Sequence, residues 1–122
     1  MNYNFITNWQ LKLMLETIEK LGYEIILKQH HKIDCPGVYI VCDRAWNVLY
    51  IGEAKNIYNR LSKTDHPLKK KIKNFKFEDY NTLCLIFHLD SFRWEVESGL
   101  ISFLRPVYND IRYLHGCKKK YR

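Results

Sequence analysis

The sequence VYIVCDRAWNVLYI, residues 38–51, contains two runs rich in β-branched and aromatic residues, one at 38–42 and one at 48–51. A short, mostly polar segment separates the runs, which is the pattern of two antiparallel strands joined by a turn. These residues therefore predict a β-hairpin, from which the rest of the fold can be worked out.

Two tyrosines fall on this predicted hairpin. If the turn takes residues 43–46, Cys42 pairs with Asn47, and Tyr39 then lies directly opposite Tyr50. Opposed residues point to the same face of a sheet, with Cβ atoms about 5 Å apart. The register therefore predicts two phenols side by side, in an arrangement that serves either packing or chemistry.

The segments on both sides of the hairpin indicate an α+β fold. Apolar residues recur at helical spacing from Leu11 to Leu21, and residues 23–29 form at most a short strand. The later predicted elements are a helix at 55–62, a basic helix or irregular segment at 67–75, a strand at 82–89 and a last helix at 93–104. This order predicts a small, mostly antiparallel three-stranded sheet flanked by helices, with an extra N-terminal helix.

The last predicted helix carries a carboxylate on its apolar face. Glu97 lies among the residues of that face, whereas Glu95 lies on the polar side. The apolar residues of the face are Trp94, Leu100, Ile101 and Leu104. A buried carboxylate is costly unless it meets a cation, a metal or good donors. Glu97 is therefore either an edge residue that reaches water or an arginine, or a ligand for Mg²⁺, which takes its other ligands from water and phosphate.

The formal net charge of +7 is concentrated in one window. Residues 54–76 contain a single anion, Asp65, and the cations Lys55, Arg60, Lys63, Lys69, Lys70, Lys71, Lys73 and Lys76. A cationic band on a small domain favours a polyanion or an acidic membrane surface as partner. The alternative is a lysine-rich surface that only keeps the protein soluble.

The chain carries no signal for a membrane or for secretion. No run approaches the roughly 20 apolar residues of a membrane span, and residues 1–8 lack the layout of a signal peptide. His30, His31 and Cys35 have no second ligand pair at zinc-finger spacing, so zinc is not expected. Four cysteines without a CxxC pair are typical of free thiols in a reducing compartment. We therefore expect a soluble, cytoplasmic protein without a membrane partner.

Five short motifs resemble those of the GIY-YIG nucleases. Gly37-Val38-Tyr39 is followed after ten residues by Tyr50-Ile51-Gly52, which is similar to the paired motif that names the family. The remaining motifs follow in the family's order: Ala54-Lys55-Asn56-Ile57, Arg60, and Glu97-x-x-Leu100-Ile101 with Arg105-Pro106-x-Tyr108-Asn109.

The resemblance implies hydrolysis of a phosphodiester with one divalent ion, Mg²⁺ or Mn²⁺. It implies that Glu97 holds the metal and that Arg60 stabilises charge on the phosphoryl oxygens. Tyr39 and Tyr50 would position or deprotonate the attacking water. Because a phenol with a pKa of about 10 is a poor base at neutral pH, Arg60, Lys55 and the metal would have to lower that pKa.

Supporting roles follow from the same resemblance. Gly37 and Gly52 are explained by backbone geometry, and Asn109 is expected to orient the site. Independently of the resemblance, the charge of the cationic band leads us to expect DNA-backbone contacts from Lys63, Lys69, Lys70, Lys71 and Lys73.

Two positions depart from the family pattern. The residue after the second motif is Glu53, where some relatives carry a lysine near the reacting phosphate. A histidine is often found four residues after the arginine, but that position is Thr64, and His66 follows two residues later. Lys55 and His66 are the candidates for a proton-transfer partner of the tyrosines, although His66 is expected to be a surface residue.

The resemblance implies a metal-dependent DNA endonuclease. We expect a single nuclease domain, with residues 1–36 as an N-terminal helical extension, 37–109 as the GIY-YIG-like core and 110–122 as a basic tail. A small free-standing enzyme of phage, mobile-element or restriction type is expected, phage-encoded or cellular. Cutting both strands is expected to need a homodimer or a higher oligomer.

Two other functions are compatible with the sequence. One is a non-catalytic nucleic-acid-binding module derived from a nuclease domain. The other is an RNA-binding domain with exposed aromatic residues on its sheet, although no motif of that type is present.

Overall fold

The computed structural model describes residues 2–27, 32–86 and 93–109. Its helices are α1 (Trp9–Lys20), α2 (Ile57–Ser62), α3 (Pro67–Lys71) and α4 (Arg93–Leu104). Its strands are β1 (Glu24–Leu27), β2 (Gly37–Cys42), β3 (Val48–Ala54) and β4 (Asn81–Ile86), with a short 3₁₀ helix, Phe77–Asp79, before β4. The predicted order of helices and strands is confirmed.

The strands form one antiparallel sheet in the order β1-β4-β2-β3. The α+β class is confirmed, but the prediction of three strands is wrong because β1 also joins the sheet. Its pairing with β4 runs from Glu24 opposite Ile86 to Leu27 opposite Leu83. The segment before Gly37 therefore contributes a strand to the sheet as well as helix α1.

The central hairpin has a different register from the predicted one. Tyr39 lies opposite Gly52, and Tyr50 lies opposite Val41. The two tyrosines are therefore diagonal neighbours, not a direct cross-strand pair. They still point to the same face of the sheet, because residues two apart on a strand share a face.

The turn of the hairpin explains this difference. A carboxylate oxygen of Asp43 accepts the backbone N–H groups of both Ala45 and Asn47, which keeps Asn47 in the turn. Cys42 consequently pairs with Val48, and the register shifts by a bulge directly after Val41. The predicted pairing of Cys42 with Asn47 is wrong for this reason.

Helices cover both faces of the sheet. The core under α1 and α4 includes Leu11, Leu15, Ile40, Ile51, Leu100 and Ile101. The core under α2 and α3 includes Tyr39, Tyr50, Ile57, Leu61, Leu68 and Phe77. Leu21, predicted on the buried stripe of the first helix, is 70% exposed because that helix ends at Lys20.

The segment after α4 runs along the free edge of β3. The N–H of Val107 donates to the carbonyl of Val48 (3.4 Å), and the N–H of Tyr108 donates to the carbonyl of Leu49 (2.8 Å). These bonds continue the sheet for a short distance beyond its last strand.

Some predictions fall outside the described residues. They concern His30 and His31, the last residues of the two strands predicted to end at 29 and 89, and the basic tail at 110–122. Within the described ranges, no helix is long and apolar enough to cross a membrane.

Candidate active site

A pocket of about 480 Å³ lies at the β3 edge of the sheet. The four residues predicted to be catalytic all line it: Tyr39, Tyr50, Arg60 and Glu97. Arg60 comes from α2 and Glu97 from α4, which pack on opposite faces of the sheet. The pocket therefore straddles the edge of β3 and collects side chains from both faces.

The two tyrosines stack inside the pocket. Their ring centroids are 6.1 Å apart, with an angle of 27° between the planes, and both side chains are buried. Gly52 makes room for Tyr39, because a Cβ at Gly52 would lie 2.3 Å from both Cζ and Oη of that phenol. Gly37 allows a backbone approach instead, since a Cβ there would lie 2.4 Å from the carbonyl oxygen of Leu85.

His66 contacts both tyrosines, which corrects the prediction of a surface residue. It is fully buried, and its Nε2 lies 2.8 Å from Oη of Tyr39. It precedes the first turn of α3, where its Nδ1 accepts the N–H of Leu68 at 3.1 Å. Apolar neighbours such as Phe77 bury the ring, and the local sequence contains no periodic signal for this placement.

The hydrogen bonds of His66 fix its tautomer. Because Nδ1 accepts a backbone N–H, the neutral ring carries its proton on Nε2, so His66 donates and Tyr39 accepts. Burial, followed by the charges of Arg60 and Lys69, lowers the pKa of His66 to about 3. His66 is therefore neutral at physiological pH, and it donates a hydrogen bond to the oxygen of Tyr39 without taking its proton.

The pKa of Tyr39 is shifted in the direction opposite to the one expected. Burial raises this pKa well above its ordinary value, and the neighbouring Tyr50 raises it further. Arg60 lowers the pKa through its charge and a hydrogen bond, as expected, but burial outweighs this effect. Tyr39 is thus a neutral phenol at neutral pH.

Glu97 faces the pocket from α4 and is 1% exposed, as the periodicity of the helix indicated. One turn earlier, Arg93 forms a buried ion pair with Glu53, with Nε and Oε2 2.6 Å apart. Both residues of the pair line the pocket. The sequence did not mark Arg93, because its partner lies forty residues away on another element.

The chain matches the model of a known protein family. The model of the GIY-YIG catalytic domain matches residues 35–109, which is more than half of the chain and includes all the residues that line the pocket. The chain belongs to the GIY-YIG family.

Curated relatives of the GIY-YIG chain include UvrABC system protein C from two bacteria. The protein from Nitrosococcus oceani is 34% identical over 84 residues, which are 62% of this chain and 13% of the relative. The protein from Chlamydia abortus is 35% identical over 79 residues, which are 61% of this chain and 13% of the relative. The chain thus spans only a small part of the length of these relatives.

A solved structure gives the same assignment for the fold. The GIY-YIG N-terminal endonuclease domain of UvrC from Thermotoga maritima superposes with a TM-score of 0.56 and 27% identity, covering 78% of this chain and 98% of that domain. That structure is bound to its catalytic divalent cation, magnesium. The present chain therefore shares the fold of that domain.

Asn109, in the last GIY-YIG motif, holds the strand that carries Tyr50. Its side-chain oxygen accepts the N–H of Ile51, and its side-chain nitrogen donates to the carbonyl of Ile51, both at 2.8 Å. These bonds extend the edge pairing made by Val107 and Tyr108. Asn109 therefore fixes the backbone between Tyr50 and Gly52.

The predicted DNA-binding lysines divide into two groups. Lys63 lines the pocket together with Lys55. The others, Lys69, Lys70, Lys71 and Lys73, lie on α3 and just after it, away from the pocket lining.

The lysines of the second group differ in their contacts. Lys71 donates to the carbonyl of Tyr108 at 2.7 Å, and the ammonium of Lys69 lies 5.8 Å from the ring centroid of Phe77. Lys70 and Lys73 are exposed. Lys70 and Lys73 are therefore the better positions at which to test a DNA contact by substitution.

Proposed function

We propose that this chain is a divalent-metal-dependent DNA endonuclease that hydrolyses phosphodiester bonds, and that it works as one nuclease domain. The observation that carries the proposal is the convergence of Tyr39, Tyr50, Arg60 and Glu97 on one pocket. The family match and the endonuclease domain from Thermotoga maritima support the same reaction.

The donor chemistry of the pocket fits Mg²⁺ or Mn²⁺. Glu97 offers a hard carboxylate oxygen, and Mg²⁺ needs only one or two protein carboxylates because it keeps several waters and binds substrate phosphate. Among the described residues, no group of three or more His, Cys, Asp and Glu side chains could hold a metal without such help. A bound ion would polarise the phosphate and stabilise the leaving oxygen, and Glu97 would hold it.

Arg60 would bind the phosphoryl oxygens. It lines the pocket together with Glu97, and its planar guanidinium can donate two parallel hydrogen bonds to phosphate oxygens. Its side chain is 27% exposed and 3.9 Å from the carboxylate of Asp65. A weak, partly exposed contact of this kind leaves the arginine able to turn towards a phosphate.

Tyr39 and Tyr50 would position the attacking water. Since His66 donates to the oxygen of Tyr39, the hydroxyl proton of Tyr39 points away from His66. If Tyr39 gives up that proton, the resulting phenolate accepts the bond from His66 and lies beside the charge of Arg60. His66 is thus proposed to orient Tyr39 and not to act as the base, and Lys55 stays the second candidate for proton transfer.

The experiment that tests this function is incubation of the purified protein with supercoiled plasmid, with Mg²⁺ or with EDTA. We expect cleavage with Mg²⁺ or Mn²⁺ and none with EDTA. Nucleic acid binding without any cleavage, for every divalent ion tried, would support the non-catalytic binding module instead.

The biological type of the enzyme is a separate part of the proposal. A phage, mobile-element or restriction enzyme was expected, whereas the curated relatives named above are UvrABC system proteins.

The products of plasmid cleavage test the assembly of the protein. Linear product without a nicked intermediate supports a homodimer that cuts both strands, and accumulation of nicked circles supports a protomer that cuts one.

A further inference from the structure

A second arginine lies in the pocket beside the proposed metal ligand. Arg93 is the first residue of α4, and Glu97 follows four residues later. Side chains four residues apart lie on the same side of a helix. The exposed fractions of the Arg93 and Glu53 side chains are only 5% and 3%, although both residues line the pocket.

Stability alone does not explain this buried ion pair. Taking two charges out of water costs several kcal/mol per ion, and apolar residues of similar volume are often as stabilising. Helix α4 is already held to the sheet through Leu100 and Ile101 in the core. The ion pair lies at the pocket and not in the middle of the contact between α4 and the sheet. In the pocket, a fixed positive charge can bind an anionic ligand.

The two arginines of the pocket come from opposite faces of the sheet. Arg60 belongs to α2 and Arg93 to α4, and Gly52 on the edge strand between them contributes no side chain. Glu53 follows Gly52 and binds the Nε atom of Arg93. Because a guanidinium is planar, a bond at Nε fixes the plane in which its terminal N–H groups lie.

We propose that Arg93 is a second phosphate-contacting arginine and that Glu53 is the residue that positions it. In this arrangement the phosphodiester lies between Arg60 and Arg93. The inference rests on the proposed function, since the ligand is the same phosphodiester. It also accounts for a carboxylate at position 53: Glu53 would repel phosphate by itself, but it instead orients a cation supplied by α4.

Chemical rescue distinguishes this role from a structural one. Arg93→Ala is expected to cut supercoiled plasmid about 10² to 10³ times more slowly, as when one charge-stabilising donor is removed. Millimolar guanidinium should restore part of that rate, because the free ion can occupy the place beside Glu53. The rescue should be weaker in the double variant Arg93→Ala/Glu53→Gln, which lacks the carboxylate that holds the ion.

Arg44→Ala is the matched control for guanidinium. Arg44 is exposed in the turn of the hairpin and does not line the pocket. Its variant should cut at the parent rate and should not respond to guanidinium.

A binding measurement decides the same point without catalysis. In EDTA, the affinity of a fluorescent DNA duplex is measured against salt for Glu53→Gln and for the double variant. Loss of one phosphate contact lowers the slope of log affinity against log salt by about 0.9, so the double variant should have the smaller slope. The double variant also avoids an unpaired buried carboxylate, should Arg93→Ala fail to fold.

The outcomes separate the two proposals. A folded double variant that keeps the parent cleavage rate overturns the role of Arg93. The role is also overturned if the double variant has the same salt slope as Glu53→Gln and guanidinium does not restore cleavage by Arg93→Ala. A parent protein that cuts no DNA refutes the proposed nuclease function instead, and the binding slopes in EDTA still decide whether Arg93 contacts phosphate.

Discussion

The phenol of Tyr39 occupies the space that a side chain at Gly52 would need. The two residues face each other across the hairpin, and a Cβ at Gly52 would lie 2.3 Å from the phenol oxygen. The same oxygen is 2.8 Å from His66. The glycine of the second motif therefore sets the position of a hydroxyl group in the pocket, and it does so by steric exclusion and not by an unusual backbone conformation.

Gly52→Ala is accordingly expected to displace Tyr39 and break its bond to His66. Displacement of a reacting group by about 1 Å can cost 10²-fold in rate, and overpacking costs about 1–3 kcal/mol of stability. Plasmid cleavage and urea unfolding measure the two effects. Gly99→Ala is the control, because nothing lies within 4 Å of a Cβ there and a helical alanine stabilises by about 0.5–1 kcal/mol. A Gly52→Ala protein with the parent rate would mean that the position of Tyr39 is not critical.

Removal of either phenol oxygen should slow cleavage while leaving binding intact. Tyr39→Phe and Tyr50→Phe keep the stacked rings, and each is expected to lower the cleavage rate by about 10² or more, as for loss of an acid–base or water-positioning group. Tyr58→Phe serves as the control, since Tyr58 is 43% exposed on α2. Single-turnover cleavage and duplex binding in EDTA are the measurements. Tyr50→Phe cutting at the parent rate would assign Tyr50 to packing only.

The burial of His66 predicts a dependence of stability on pH. Its pKa is about 3 in the folded protein and 6.5 ordinarily, so below pH 6.5 the unfolded chain binds a proton that the folded protein does not. The titration of His66 therefore does not reduce the free energy of unfolding above pH 6.5. Below pH 6.5 it lowers this free energy, by up to about 1.4 kcal/mol for each pH unit down to about pH 3.

His66→Gln removes this titration and keeps a side chain that can donate to Tyr39. Between pH 7.5 and 5.5, urea unfolding should show the parent losing about 1.4 kcal/mol more than the variant. Equal losses in both proteins would show that His66 is not buried in its neutral form.

The exposed lysines after Leu68 are expected to bind the DNA backbone. Replacing Lys70 and Lys73 by Gln should weaken duplex binding and flatten its salt dependence, by about 0.9 in slope for each lost phosphate contact. Lys12 and Lys20 on α1, which packs on the other face of the sheet, are the matched pair of control positions. If the two double variants bind alike, the lysines after Leu68 serve only as a charged surface.

The sequence predicts those parts of the fold that depend on a local pattern of residues. Runs of β-branched and aromatic residues located β2 and β3, and helical spacing placed Glu97 on the buried side of α4, because both signals lie within one element. The register of Tyr39 was missed because it depends on two N–H groups that Asp43 binds in the turn. Residues 23–29 were expected to form at most a short strand, and the place of β1 in the sheet was missed because β1 pairs only with β4, which is distant in sequence.

The features of the site that the sequence missed depend on contacts between distant elements. His66 was a predicted site candidate, but its burial was missed because it lies between an acidic residue and a proline, with no periodicity to indicate burial, and its partner Tyr39 is on another element. Arg93 and Glu53 are separated by forty residues and meet only when α4 docks against β3. The family motifs could locate Glu53 as a departure, but they could not show which cation binds it.

Glu97 provides the sharpest test of the proposed function. Glu97→Gln keeps the size of the side chain but removes its charge, so the divalent ion loses its protein ligand. We expect no detectable plasmid cleavage with Mg²⁺, with duplex binding retained or tightened because an anion has left a cationic pocket. The variant should be at least as stable as the parent, since a buried amide costs less to desolvate than a carboxylate.

Glu95→Gln is the control on the same helix, because Glu95 is exposed, and it should cut as the parent does. Comparing the two variants separates loss of the metal ligand from a general loss of negative charge on α4. Retained binding in an inactive, fully folded Glu97→Gln protein also argues against a collapsed site. If Glu97→Gln cuts at the parent rate, the metal is held elsewhere, and the pocket between α2 and α4 is not where the phosphodiester is hydrolysed.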